Sequence, residues 1–347
     1  MRSPFSSVLF VTVILVSSTF ASTTMSINNS GVVGGKWFDY IVIIMMENHD
    51  INYTYGVSNP SWNKGSTNTC LGNCTYYDLL ANSNVLAKEY TRDGINGCSI
   101  GCYVAITSGY GDTTQGCNDF PPPSPSCSLL QKANIVDSLE GAGLSWKAYM
   151  EDYPMQSGCS NTFSGNYEPI HNPFIYYADI WNTARCQYIV NANSPVSQTT
   201  CGLTPLPTDS GFLNDLNSAS NAPNYMFLTP NRVDDNHDCN DVSVGNAWLN
   251  QIVPQILGST LFKTKRAALF VTFDEPGCTN AVPTCPPSIP ELYSVWASNS
   301  VTKTGFKSVN SYTHYSALRT IEDNWRLQPY LNATTDGAAN NMQEFFL

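Results

Sequence analysis

Basic residues are scarce in this chain: Lys and Arg number 16 against 27 Asp and Glu, a formal net charge of -11 over 347 residues. They form no cluster, and nucleic-acid backbones are gripped by basic stripes, so a nucleic-acid partner is excluded. A phosphate-bearing ligand would have to be attracted locally, by a bound cation or by protonated histidines. Charge of either sign is thin, at 12% of residues, about half the usual globular share. Asn, Ser and Thr carry much of the surface instead, which suits acid or glycosylated surroundings outside the cell. Long apolar runs are also missing. The stretch from Val8 to Val16 is short for a bilayer span, and no later segment approaches the ~20 apolar residues a span requires. Internal repeats and dividing linkers are absent as well, which leaves one large domain as the expectation.

Apolar and sulfur-bearing residues are plentiful. A hydrophobic content of 42%, with 12% aromatics, is enough to build a sizeable core. Met1 to Ala21 has Arg2, an apolar run and a Ser-Thr-Phe-Ala ending suited to signal peptidase, so residues 1–21 read as a secretory signal and the protein as secreted. Residues 22–36 read as a flexible lead-in and 37–347 as a single domain. Twelve cysteines agree with an oxidising compartment. Local disulfides are expected for Cys70/Cys74, Cys117/Cys127 and Cys278/Cys285. A zinc site at Cys70/Cys74 or Cys98/Cys102 lacks the partner Cys or His pairs that structural zinc needs. Asn-X-Ser/Thr sequons at Asn28, Asn52, Asn73 and Asn332 fit a glycoprotein.

The chain is organised around residues 37–56, WFDYIVIIMMENHDINYTYG. An unbroken apolar run from Tyr40 to Met46 reads as a buried parallel strand, and it stops at Glu47, Asn48, His49 and Asp50. Ligands bind where such strands end. The pattern recurs: Tyr225 to Asn231 reads as a strand running into Asp234, Asp235, His237 and Asp238, and Arg266 to Phe273 as one ending on Asp274-Glu275. Leu144 to Met150 and Leu292 to Ala297 are further strands. Helical spacing marks Tyr77 to Tyr90, Asn134 to Gly143, Phe212 to Asn217, Val242 to Leu257 and the segment opened by His314. Alternation of this kind predicts an α/β fold with a mostly parallel central sheet and helices on both faces.

Gly94 to Gly109 reads as a glycine-rich turn entering a short helix with Ser99 at its N-terminus. Unpaired amides and the helix dipole there would stabilise an alkoxide and phosphate oxygens; alone, Ser99 is equally a capping serine between two disulfide-bonded cysteines. All four histidines, His49, His171, His237 and His314, fall at strand ends, loops or a helix start. Oxygens from Glu47, Asn48, Asp274 and Glu275 would make a hard-cation site for calcium, magnesium or manganese, and nearby imidazoles would admit zinc or iron. The metal's identity is not readable from sequence.

In order along the chain stand Glu47-Asn48 with Tyr55-Gly56, Tyr103-Val-Ala-Ile-Thr-Ser-Gly109, Pro230-Asn231 through His237-Asp238, Phe273-Asp274-Glu275 and His314-Tyr-Ser-Ala-Leu-Arg319. This combination resembles the secreted phosphoesterase family of acid phosphatases and bacterial phospholipases C, whose fold is alkaline-phosphatase-like. The resemblance covers Trp37 to Trp325. It implies that Glu47, Asn48, Asp274 and Glu275 bind a divalent metal ion, that Ser99 takes the phosphoryl group, and that His237 and His314 contact phosphate or transfer protons. His171 matches a further active-site position, and His49 matches none. Relatives usually show Ser-X-Pro-Asn around the nucleophile, whereas here Ile100, Gly101 and Cys102 follow Ser99. Cys98 and Cys102 pair with each other or elsewhere, and a thiol nucleophile at either is the variant reading.

The expected activity is that of an acid phosphatase on phosphomonoesters, with phospholipase C chemistry on lipid headgroups as the alternative. Membrane contact is expected only if the substrate is a phospholipid, and monomer is the default. A reading from another class is a disulfide-rich binding or cell-surface glycoprotein that kept the fold and lost the chemistry. The altered segment after Ser99 favours that reading, and the retained oxygen ligands and motif histidines oppose it.

Overall fold

Strand β1, Tyr40–Met46, forms where the apolar run predicts it, and all but its first residue are buried. A strand buried along its whole length is covered on both faces, which is why both its odd and even positions are apolar. The computed structural model describes residues 34–55, 74–92, 95, 98–111, 117, 120–154, 159–192, 201, 208–218, 220–239, 242–277 and 291–347. The signal sequence, most of the lead-in, the Cys70/Cys74 and Cys278/Cys285 pairings and the sequons at Asn28 and Asn73 lie outside the described residues. Residues 33–347 belong to one compact unit.

In chain order the elements are β1, a short helix α1 (Ile51–Thr54), α2 (Thr75–Ser83), β2 (Val85–Thr91), α3 (Ile100–Ser108), α4 (Ile135–Gly141), β3 (Trp146–Met150), β4 (Ile189–Asn191), α5 (Ser210–Asn217), β5 (Tyr225–Thr229), α6 (Ser243–Leu257), α7 (Thr260–Thr264), β6 (Ala267–Phe273), β7 (Ser294–Ala297), β8 (Lys307–Thr313) and α8 (His314–Trp325). The eight strands form one sheet in the order β4-β3-β5-β1-β6-β7-β2-β8. Every pairing is parallel except those of β7, which runs antiparallel to both β6 and β2. This is an alkaline-phosphatase-like α/β fold. The central strands β5 and β6 are buried throughout, whereas β8 exposes its middle, as an edge strand does.

Two expectations need correction. The stretch Tyr77 to Tyr90 is not one helix: α2 ends at Ser83 and β2 begins at Val85, because Asn84 breaks the run and the apolar residues beyond it are needed in the sheet. Asn52 of the second sequon is buried within α1, so the folded chain does not present it to a glycosyltransferase. Cys117–Cys127 is bonded as expected, and Cys98–Cys102, Cys159–Cys186 and Cys201–Cys239 are further disulfides among the described residues. With Cys98 and Cys102 joined, the thiol-nucleophile reading falls.

Candidate active site

The register of β1 against β6 builds the site. The two strands pair in parallel from Tyr40↔Ala267 to Met46↔Phe273, so Glu47 and Asp274, the next residue of each, leave the sheet side by side. Backbone bonds fix them: the Asp274 amide donates to the Met46 carbonyl at 3.0 Å, and the Glu47 amide donates to the Asp235 carbonyl at 2.9 Å. The second bond brings in the loop after β5. Asn48, at φ 57, donates its own amide to Asp274 Oδ1 at 3.0 Å. Glu47, Asp235 and Asp274 are all fully buried.

His171 joins them from a short 3-10 turn, Pro169–His171. Its carbonyl accepts from Thr229 Oγ1 at the end of β5, which explains how a residue so far along the chain reaches the same strand ends. Nδ1 lies 3.0 Å from Asp235 Oδ2, and Nε2 lies 3.4 Å from Glu47 Oε1. Asp235 accepts the Nδ1 proton, which leaves the Nε2 lone pair facing a carboxylate. His237 stands beside it, with ring centroids 5.1 Å apart; its amide donates to Asp235 Oδ1 at 2.7 Å and its Nδ1 meets Asp238 Oδ1 at 2.8 Å.

Environment divides the histidines. Burial, followed by the charges of His237 and Arg232, holds His171 well below its ordinary pKa, so it is a neutral imidazole. For His237 burial works against the charge, but the Asp238 hydrogen bond and the Asp235 carboxylate outweigh it and raise the pKa. His237 is also partly exposed. His314 opens α8 fully buried, and burial lowers it to about 4. Its Nε2 donates to the Asp274 carbonyl at 2.6 Å, and its Nδ1 lies 3.0 Å from the Tyr90 hydroxyl. Both nitrogens are thus engaged in holding the strand end. His49 is buried too, with Nδ1 at 3.0 Å from the Glu47 carbonyl.

Ser99 is the N-cap of α3, partly exposed, at φ 66 and ψ -108, and its side chain makes no capping hydrogen bond. A non-glycine residue in that region costs about 1–3 kcal/mol, and such strain concentrates at functional positions. The hydroxyl is therefore not spent on the helix, which removes the capping reading. The Cys98 sulfur lies 3.8 Å from the Asp274 carbonyl oxygen, which places the turn carrying Ser99 beside the end of β6. Gly109, at φ 75, ends the same helix where a Cβ would collide with Asp336.

Glu275 does not turn toward Glu47 among the described contacts; it pairs with Arg92, just beyond β2. Burial followed by the Asp274 charge still raises it to about 8. Arg92 and Arg232, the latter 3.3 Å from Asp238 and 3.8 Å from Glu168, supply positive charge that the sequence hid, since neither stands in a basic cluster. Asp235 was also missed as a site residue: nothing in Asp234-Asp235 distinguishes the two until the loop is folded.

Both Glu47 carboxyl oxygens, Asp274 Oδ2 and His171 Nε2 are buried without a hydrogen-bond partner. Burial, then the charges of Asp274 and Asp235, push Glu47 well above the usual carboxylate range, and burial raises Asp235 and Asp274 likewise. So many acceptors without donors are tolerable only if they hold protons or a cation. Glu47, His171 and Asp235 present ligand atoms within 4.8 Å of one another. The donor set of carboxylate oxygens and one neutral imidazole fits a divalent cation.

Comparison with known proteins agrees with the fold and with the family resemblance. A probable acid phosphatase of Kluyveromyces lactis is 28% identical over 223 residues, covering 61% of this chain and 45% of that protein. A phosphate-repressible acid phosphatase of Penicillium chrysogenum is 29% identical over 202 residues, covering 56% of this chain and 42% of that protein. The chain thus spans less than half the length of these relatives. Among solved structures, a protein in the alkaline phosphatase superfamily from Vibrio parahaemolyticus matches with a TM-score of 0.51 at 12% identity, over 86% of this chain and 69% of that one; this is a likeness of fold. The sequence model of the Phosphoesterase family matches residues 71–328, a span that takes in Ser99, His171, His237, Asp274, Glu275 and His314. By that match over most of its length, the chain belongs to the Phosphoesterase family.

Proposed function

We propose that the protein is a secreted, metal-dependent hydrolase of phosphoric esters, an acid phosphatase that cleaves phosphomonoesters through a phosphoserine at Ser99. The observation that carries the reading is the set of buried acceptors without donors at the ends of β1 and β6, beside a strained serine whose hydroxyl is not used as a cap. We read residues 37–347 as the one phosphoesterase domain. The acid phosphatase names of the matched relatives support the substrate class, and the disulfides agree with export. No helix among the described residues is long and apolar enough to cross a membrane.

Glu47, Asn48 and Asp274, with His171 and Asp235 added and Glu275 behind them, would hold the metal ion. When bound, the metal would neutralise phosphate oxygens and favour the ionised form of a nearby hydroxyl. Ser99 gives up its hydroxyl proton to solvent, its Oγ forms a bond to phosphorus, and the phosphorus–ester oxygen bond breaks with the electron pair going to the ester oxygen. His237, whose charged form Asp238 and Asp235 favour, gives that oxygen a proton. A water molecule, yielding a proton to the now neutral His237, then attacks the phosphoseryl phosphorus; the phosphorus–Oγ bond breaks, inorganic phosphate departs and Ser99 takes back a proton from solvent. The amides opening α3 would offset charge on the phosphoryl group, while Arg92 and Arg232 balance the Glu275, Glu168 and Asp238 carboxylates around the site. His314 acts indirectly, by fixing the Asp274 carbonyl.

The test is hydrolysis of an aryl phosphate monoester and a matching diester by the purified chain at acid and neutral pH. Metal-dependent turnover, preference for the monoester and loss in Ser99→Ala and Asp274→Ala are expected. Preference for the diester would move the reading to phospholipase C chemistry. A folded, metal-supplied chain inert on both esters and on phospholipid would contradict it.

A further inference from the structure

Tyr103 sits in the second turn of α3, four residues after Ser99, and it is fully buried. Its ring lies nearly parallel to that of His171, with centroids 5.7 Å apart and an interplanar angle of 8°. The hydroxyl meets no neighbour in strict hydrogen-bond geometry; burial, then the charges of Glu47, Asp274 and Asp235 and its contact with the Glu47 carboxylate, keep its proton on. Packing alone does not account for this residue. A phenylalanine would give the same stack, whereas a buried hydroxyl is unfavourable unless it finds an acceptor. The acceptor at hand is the Glu47 carboxylate, and a phenol deep among carboxylates keeps its proton, so it can only donate to them.

We propose that Tyr103 is a positioning residue of the metal site: its hydroxyl donates to the Glu47 carboxylate while its ring sets the plane of His171. Both are groups whose lone pairs must converge on one cation. One helix thereby carries Ser99 at its start and aligns two ligands from its second turn, so the nucleophile and the metal are held to a common frame. A carboxylate fixed by one donor offers its remaining lone pairs in a defined direction, which is how outer partners tune metal affinity. The inference rests on Glu47 and His171 being ligands, as proposed above.

The test uses the full chain, stripped of metal and titrated calorimetrically with Mn2+ and with Zn2+, in wild type, Tyr103→Phe and Tyr103→Leu. The Phe variant keeps the stack and removes only the oxygen. It is expected to bind metal about 10–100-fold more weakly, with an unchanged thermal midpoint for the metal-free protein. At saturating metal its kcat falls while KM for an aryl phosphate stays near wild type. The Leu variant, which loses the stack too, is expected to bind more weakly still. Equal metal affinity in wild type and Tyr103→Phe would overturn the proposal alone, as would an affinity loss matched by a general loss of metal-free stability. A wild type that binds neither metal would instead sink the reading of Glu47 and His171 as ligands, and this inference with it.

Discussion

Two buried acidic clusters lie on either side of a single loop, and only one of them gathers its acids around an imidazole. In one, Glu151 at the end of β3 has both carboxyl oxygens satisfied, by the Asn231 amide at 2.8 Å and by Trp248 Nε1 at 2.8 Å. Asp234 accepts from Asn231 Nδ2 at 3.0 Å through Oδ2, and Asp209 lies against Glu151, where burial raises it to about 7; Asp234 Oδ1 and both Asp209 oxygens meet no donor. In the other, both Glu47 oxygens, Asp274 Oδ2 and His171 Nε2 converge without a protein hydrogen bond, while Asp274 Oδ1 is held by the Asn48 amide. The adjacent residues Asp234 and Asp235 serve one cluster each. The first cluster uses acids to fasten β3, α6 and the loop after β5; the second keeps its acids open to a ligand. Burial and acceptors without donors occur in both, so what separates them is convergence on an imidazole: among the described residues only the second cluster, through Glu47, His171 and Asp235, brings three ligand atoms within 4.8 Å of one another.

The largest expected effects come from the open cluster. Glu47→Gln or Asp274→Asn is expected to lower metal-dependent turnover by a factor on the order of 10³, treating loss of a first-line metal contact as a loss of transition-state charge stabilisation. The metal-free thermal midpoint of either variant is expected to stay level or rise, because a carboxyl that burial disfavours in its charged form, with acidic neighbours adding to this at Glu47, is replaced by a neutral amide. A fall in that midpoint, measured calorimetrically in chelator, would make the carboxylate structural and erase the contrast.

The Asp pair offers a finer test. Asp235→Asn is expected to weaken metal affinity about 10–100-fold, since Asp235 orients His171, with little change in the urea midpoint. Asp234→Asn is expected to do neither. Glu151→Ala should destabilise the protein by about 3 kcal/mol, the scale of buried donors left unsatisfied at the Asn231 amide and the Trp248 indole, while affinity for metal is retained. Urea denaturation and calorimetry on the same preparations would show a crossed pattern or refute it.

The pH dependence of stability bears least on the metal site itself. A buried carboxyl whose folded pKa is raised holds its proton more tightly when folded, so its stabilising contribution is complete below the unfolded value and is lost as pH rises through the folded one. For Asp209 that loss runs from about 4 to about 7. For Glu322, raised by burial and then by Asp336, it continues to about 9. Metal-free stability should therefore fall from acid to alkaline pH. Asp209→Asn should flatten the lower part of the curve and Glu322→Gln the upper part, and an unaltered slope in both would show that these carboxyls do not carry it.

The strands that carry the site were legible because β1 and β6 are unbroken apolar runs, and only fully buried parallel strands read that way. Glu47 and Asp274 followed from where those runs stop. Strand β8, KSVNSYT, was not legible: it lies at the sheet edge, half exposed, and its pairing with β2 rather than its own pattern makes it a strand. Ser99 came from a glycine-rich turn together with family resemblance. His171 and Asp235 belong to one constellation only through the ends of β5 and β1, a relation set by sheet order and invisible to spacing. Tyr103 was hidden among the apolar residues of α3, where its ring fits the pattern and its hydroxyl leaves no trace.

The account is tested most directly by following aryl phosphate hydrolysis while the metal-stripped chain is titrated with Mn2+ or Zn2+, with Glu47→Gln and Glu151→Gln measured alongside. Turnover absent without metal, restored by it in wild type and Glu151→Gln, and not restored in Glu47→Gln is the predicted result. Hydrolysis indifferent to chelation, or equal recovery in Glu47→Gln and wild type, would contradict the assignment of the open cluster as the catalytic metal site.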